Sequence, residues 1–290
     1  MIVGVVDIGT NSIRLLITDG TKDLERWEEV TGLGSGVDSS GVLSESRIVE
    51  TLVVLNRYGR LMEEAGVSKR MAIATSASRD AANREGFFDR VEEMIDVRPT
   101  LISGEEEARF AYQGAVRGFE GPTPVVVSDI GGGSTEFVTE DSGVSIDIGS
   151  VRITERAIPD RPAPRDQVAA ARATIGQEFS SLPPIEFGSL IGVAGTWTSL
   201  ASVARALPRG TPVHGREVTR AEVGRIVDIM ALLTVEETAD LPGLDPKRAP
   251  VILGGVLVAE GVMDALGADS AIVSGHDTLD GVAMTLLALP

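Results

Sequence analysis

The pattern of apolar and polar positions opens with a β-branched run, Ile2 to Asp7, and a second run, Ile13 to Thr18, separated by Gly-Thr-Asn-Ser. Two such runs around a short turn predict a hairpin. The pattern recurs at Val125 to Asp129, Gly131-Gly132-Gly133-Ser134 and Thr135 to Thr139, and a further strand is predicted over Val144 to Gly149. Helical spacing begins at Ser44: Ile48, Leu52, Leu55, Tyr58 and Met62 fall three or four apart, and Gly66 supplies a stop. Helices are also predicted from Arg79 onward and over 104–116, 165–180, 196–206, 219–232, 246–266 and 277–288, with strands at 69–75, 97–102, 190–194 and 271–274. Strands alternating with helices predict an α/β protein whose sheets are mostly buried.

Sliding the first hairpin along by 122 positions superposes Asp-Ile-Gly on Asp-Ile-Gly and Ser12 on Ser134, and sets Arg14 opposite Glu136. A chain of 290 residues with two matching frames predicts two related domains, 1–122 and 123–290, with Glu120 to Val125 as the boundary and the last helix able to pack back on the first domain. The Pro-rich stretch Ile158 to Asp166 reads as a surface loop without chemistry.

Charge and composition narrow the function. With 43 acidic and 26 basic residues the net charge is −17, which argues against a nucleic-acid partner, because such binding needs a basic track that releases counterions. A polyanionic substrate would need a local patch of arginines and N–H groups, with Mg²⁺ as a bridge. The absence of cysteine excludes disulfides, thiolate metal sites and a cysteine nucleophile, and fits a reducing compartment. No apolar run is long enough to span a bilayer, and nothing resembles a signal sequence, so a cytoplasmic protein without a membrane partner is expected.

The paired turns carry the candidate chemistry. Gly9, Thr10, Asn11 and Ser12 in one half, and Gly131, Gly132, Gly133, Ser134 and Thr135 in the other, can aim N–H groups and hydroxyls at one spot, as an anion cradle does. Either turn taken singly also fits an ordinary tight turn; the pair favours phosphate binding. Asp7 and Asp129 stand just before the turns, where a carboxylate can hold Mg²⁺ or its water. Glu136, on the returning strand, suits alignment and deprotonation of a water for in-line attack. Arg14 is assigned to the neighbourhood of its cradle, pairing with phosphate or with a carboxylate. In Ile102 to Val116, Ser103 and Glu106 have the spacing of a capping box, which accounts for Glu106 but not for Glu107, turned about 100° around the helix. Thr75, Ser76 and Ser78 sit at a strand-to-helix junction where Arg79 can clamp a phosphate, and Gly192 to Ala201 repeats that logic as a further phosphate contact or a hinge. His214 and His276 read as isolated, His276 as a cap or turn residue.

Six ordered motifs, "DIGTNSIRLLI", "ATSASRDAAN", "ISGEEEAR", "DIGGGSTEF", "GSVRITE" and "VSGHDTLDG", resemble the exopolyphosphatase/guanosine pentaphosphate phosphohydrolase family over almost the whole chain. The resemblance implies two actin-like, ribonuclease-H-like domains with a cleft between them. It implies that Glu107 and Glu136 position and activate the attacking water, that Gly9 to Ser12, Asp129 and Gly131 to Thr135 hold phosphate and metal, and that Arg79 assists. Longer relatives continue into helical C-terminal domains, so the chain resembles the short form. The function implied is a Mg²⁺-dependent exopolyphosphatase acting on inorganic polyphosphate, shorter chains preferred, or on guanosine pentaphosphate, in a homodimer. The alternatives are an actin-like kinase using ATP and a non-catalytic polyphosphate or alarmone sensor.

Overall fold

The structure, a computed structural model, describes residues 1–289 and divides into two compact units, one built from Met1–Gly114 with the segment from Thr278 onward, the other from Ala115–Asp277. The first unit begins with β1 (Val3–Ile8), β2 (Ser12–Thr18) and β3 (Asp23–Val30), continues through α1 (Val37–Ser40), α2 (Glu45–Glu64), β4 (Lys69–Ala74), α3 (Ser76–Asp80) and α4 (Arg84–Ile95), and reaches β5 (Thr100–Leu101) and α5 (Gly104–Ala115). The second contains β6 (Val125–Ile130), β7 (Thr135–Val138), β8 (Gly143–Ile146), α6 (Ser150–Ala157), α7 (Arg165–Phe179), β9 (Ser189–Val193), α8 (Ala194–Ala204), β10 (Arg216–Thr219), α9 (Arg220–Ala231), α10 (Val235–Ala239), α11 (Ile252–Leu266) and β11 (Ser270–Val273); α12 (Thr278–Ala288) returns to the first unit.

The two sheets repeat one plan. The first has the order β3-β2-β1-β4-β5, and the second β8-β7-β6-β9-β11, with β10 added antiparallel at its far edge. In each, an antiparallel meander supplies three strands, and its first strand pairs in parallel with the fourth.

Every residue of β1 is buried, as expected of a strand covered on both faces. Its side chains alternate. Val6 and Ile8 join Ile13, Leu15 and Ile17 beneath α2 and α4, whereas Val3 and Val5 join Leu16, Phe110 and the α12 residues Leu279, Val282 and Leu286. Asp7 therefore shares a face with Val3 and Val5, and Arg14 with Leu16.

The Asp280–Gly281 step of the last motif serves packing. Asp280, almost wholly buried, pairs with Arg26 of β3 at 2.7 Å, and Gly281 lets α12 lie against the carbonyl of Phe110 in α5. The loop read as inert also has an internal role: Arg161 donates to the carbonyls of Met230 in the last turn of α9 and of Leu233 just after it, and to the Thr238 hydroxyl, and burial pushes its guanidinium pKa down. The helix expected from Arg79 is two pieces, because Ala81 leaves helical geometry at φ −88°, ψ 124°. The helix expected over 246–266 is a 3-10 turn at Pro246–Arg248 followed by α11.

Gly59 of α2 abuts the backbone carbonyl of Met94 at the end of α4, a contact that leaves no room for a Cβ. A carbonyl cannot swing aside as a side chain does. Gly59→Ala is expected to lower the stability of the first unit by about 2 kcal/mol, overpacking outweighing the gain in helix propensity, read as an earlier thermal unfolding transition by circular dichroism.

Candidate active site

Both β-hairpin turns are closed by the same bond: Gly9 N–H donates to the Ser12 carbonyl at 3.1 Å, and Gly131 N–H to the Ser134 carbonyl at 3.0 Å. The other carbonyls of both turns are held as well. In the second unit the Gly131 carbonyl accepts from Ser150 N–H, the Gly132 carbonyl from Val151 and Arg152 N–H, and the Gly133 carbonyl from Arg152 Nε at 2.8 Å. In a trans peptide the N–H points opposite to the C=O, so tying three carbonyls to the start of α6 turns the N–H groups of Gly132, Gly133 and Ser134 away from it. Successive N–H groups left free of the carbonyls' partners are what an anion-binding concavity requires.

The first unit reaches the same result with a different segment. The Thr10 carbonyl accepts from Gly34 N–H at 2.7 Å, and the Asn11 carbonyl from Thr31 and Gly32 N–H at 3.0 and 2.9 Å. Asn11 and Ser12 N–H are thereby turned the other way. The turn is also joined to α3, because Thr10 Oγ1 accepts from Ala77 N–H. Gly34 lies so close to the Thr10 side chain and the Ala77 Cβ that a Cβ of its own would clash. The loop from Thr31 to Gly36 escaped the sequence reading, although three glycines in five residues were its signal.

The carboxylates stand at matching places. Asp7 lies directly opposite Arg14 on β2, and Asp129 directly opposite Glu136 on β7. Arg14 spends its guanidinium on Asp7, Nε reaching Oδ2 at 3.0 Å, so of the two partners open to it in the sequence it takes the carboxylate. The other oxygen, Asp7 Oδ1, is buried without a hydrogen-bond partner, as are Asn11 Nδ2 and Ser78 Oγ. In the second unit Glu136 is fully buried, and its Oε1 accepts from the Ser145 hydroxyl at 2.7 Å.

Glu106 and Glu107 divide as the capping box requires. Glu106 accepts from the Ser103 N–H at 2.8 Å while its own N–H donates to the Ser103 hydroxyl, and the first of these bonds holds its carboxyl pKa below the ordinary value. Glu107 is turned inward instead and pairs with Arg79 at 2.9 Å; the same Arg79 nitrogen also donates to the Ile102 carbonyl. Arg79, expected on phosphate, thus touches a candidate catalytic carboxylate. Ser76 is buried in the first turn of α3. Thr135 commits its hydroxyl hydrogen to the Ile148 carbonyl at 2.6 Å, and Ser12 donates to Glu28. The two histidines are not isolated: their rings meet edge to face at 5.0 Å, and His214 Nδ1 accepts from Gly275 N–H. They lie 62 residues apart, so only the pairing of β10 with β11 brings them together. At the junction of β9 and α8, the counterpart of Thr75 and Ser76, Gly195 is covered by the Arg248 guanidinium, a contact the sequence did not disclose.

A family model described as the Ppx/GppA phosphatase family matches residues 16–288. The chain belongs to that family. Exopolyphosphatase 2 of Mycobacterium tuberculosis is 34% identical over 98% of both chains. Among solved structures, the Ppx/GppA enzyme of Aquifex aeolicus superposes with a TM-score of 0.81 at 31% identity, covering 98% of this chain and 99% of that one. An exopolyphosphatase-like protein superposes at 0.92, again with 31% identity and 98% of each chain covered. The two repeated sheets are accordingly those of Ppx/GppA structures, with the architecture of the actin-like ATPase fold.

Within this Ppx/GppA scaffold Gly149 lies against the second turn, since a Cβ there would lie 2.5 Å from the Gly132 carbonyl and 2.7 Å from Gly133 N. Gly149→Ala is expected to displace the turn and weaken inorganic phosphate binding about tenfold, the order of one overpacked contact, as read by titration calorimetry.

Proposed function

We propose that the chain is an exopolyphosphatase that releases terminal orthophosphate from inorganic polyphosphate, shorter chains preferred, with guanosine pentaphosphate as a second substrate. The observation that carries the reading is Glu136: a fully buried carboxylate, directly across the strand pair from Asp129, at the base of a turn whose carbonyls are engaged by the start of α6. A buried acid beside an anion cradle opposes substrate binding unless it takes a proton during the reaction. The names borne by the relatives support the same chemistry.

In the proposed reaction the oxygen of water bonds to the terminal phosphorus in line with the anhydride linkage. That P–O bond breaks, its electron pair stays on the shortened chain, and the water proton passes to Glu136, with Glu107 as the second catalytic carboxylate. The N–H groups of Gly132, Gly133 and Ser134, and of Asn11 and Ser12, hold phosphate oxygens. Ser76 and Ser134 add hydroxyls, while Arg14 and Arg79 hold Asp7 and Glu107 in place and offer positive charge to the chain.

The residues present fit Mg²⁺. Asp7 Oδ1 is a buried acceptor lacking a donor, and Asp129 is the equivalent carboxylate of the second unit. Among the described residues no three His, Asp or Glu side chains gather into a metal cage. Mg²⁺ commonly takes one or two carboxylates and completes its shell with water and phosphate oxygens. When bound it would neutralise phosphate charge. No helix among the described residues is long and apolar enough to cross a membrane. The reading places the enzyme in the cytoplasm, as a homodimer.

Orthophosphate release from short-chain polyphosphate and from guanosine pentaphosphate tests the proposal. Release is expected with Mg²⁺ and not with a chelator, and the ratio of the two rates identifies the preferred substrate. Glu136→Gln and Glu107→Gln are each expected to lower kcat by roughly 10²–10⁴-fold, as removal of a general base does, with KM little changed. Glu106→Gln keeps the capping box and is expected to retain turnover. Wild-type turnover in both Glu107→Gln and Glu136→Gln would overturn the reading.

A further inference from the structure

The repeat continues one strand further than the two hairpins. Across β1, β2 and β3 the register sets Asp7 opposite Arg14 and Arg14 opposite Glu28; across β6, β7 and β8 it sets Asp129 opposite Glu136 and Glu136 opposite Ser145. Directly opposed residues share a face of the sheet, so each set forms a row of neighbouring side chains. In the first row the charges alternate, acid, base, acid. In the second an acid has replaced the base, and a carboxylate in the third place, as in Glu28, would crowd a third negative group against Glu136. A serine stands there instead. Its Oγ lies 2.7 Å from Glu136 Oε1, at the usual length of a strong O–H···O bond, with the carboxylate accepting.

We propose that Ser145 is a positioning residue for Glu136, fixing the orientation of its carboxylate. The inference rests on the reading of Glu136 as general base. Nothing in the motifs singles Ser145 out; it lies on a four-residue strand, Gly143–Ile146, joined to the rest of its sheet through β7. Glu136 is fully buried, where a hydrogen bond from a hydroxyl to a carboxylate is stronger than in water and selects one orientation of the acceptor. Without that hydroxyl the carboxylate is held less firmly, so turnover falls while phosphate contacts made by the turn persist.

The test compares Ser145→Thr with Ser145→Val, two β-branched side chains of one shape that differ in the hydroxyl, beside wild type and Glu136→Gln. Orthophosphate release from short-chain polyphosphate is followed over a range of substrate concentrations, with thermal unfolding as the folding control. Ser145→Thr is expected within about threefold of wild type. Ser145→Val is expected to lose about tenfold in kcat with KM within about twofold, a loss that the hydroxyl of Ser145→Thr restores. A merely structural serine would show neither the split of kcat from KM nor rescue by the hydroxyl. If wild type is active, Glu136→Gln is not, and Ser145→Val matches Ser145→Thr in rate, the positioning role is overturned and the hydrolase reading stands. If wild type releases no phosphate, both fall. A loss in Ser145→Val as deep as in Glu136→Gln, with phosphate trapped on Ser145 of acid-quenched wild type, would make the serine a nucleophile and overturn the positioning role.

Discussion

A tight turn offers its N–H groups to an anion only when its carbonyls are held somewhere else, because each trans peptide carries the two groups on opposite sides. Both hairpin turns of this chain meet that requirement. In one unit the restraint is the loop from Thr31 to Gly34, and in the other the first turn of α6. The placement of much of each unit follows from it. Gly149 and Gly34 lack side chains because the restraining segment must approach the turn closely, and Gly254 and Gly255 let α11 settle on Ser150 and Thr154 behind the same turn.

The duplicated hairpins have diverged in charge while keeping their geometry. Arg14 neutralises Asp7 inside the protein, a pair whose desolvation is repaid by close contact. At the equivalent place Glu136 gives its unit a second acid directly across from Asp129. The exchange of a single residue type at one register position replaces an acid–base pair with two opposed acids.

The turns, their aspartates and the capping box were legible because short-range chemistry determines them: Gly-rich tetrads between apolar runs, and Ser103 three residues before Glu106. The assignment of Glu106 to the cap followed from one residue of helical rotation. β3 was not legible, since Asp23–Val30 is an edge strand carrying charges and only Val30 is buried, so it shows neither an apolar run nor clean alternation. β10 is short and similarly polar, and α6 begins three residues after a strand region, with its first turn already spent on carbonyls of the cradle. The contacts of Ser145 with Glu136, of Arg79 with Glu107 and of His214 with His276 join residues from different elements. Strand register and helix placement create such pairs, and no local pattern announces them.

The return of α12 to the first unit bears on how the chain is made. Leu279, Val282, Ala283 and Leu286 cover the face of the first sheet that holds Val3, Val5 and Leu16. A ribosome delivers these covering residues after every element from β6 to β11, so the unit translated first is the last to complete its core. During elongation the inserted unit can close over its own apolar cluster, which contains no residue from α12, while the strand that carries Asp7 waits with one face uncovered. The face of the first sheet that holds Val3, Val5, Leu16 and Ile73 therefore completes its burial only once α12 has been made.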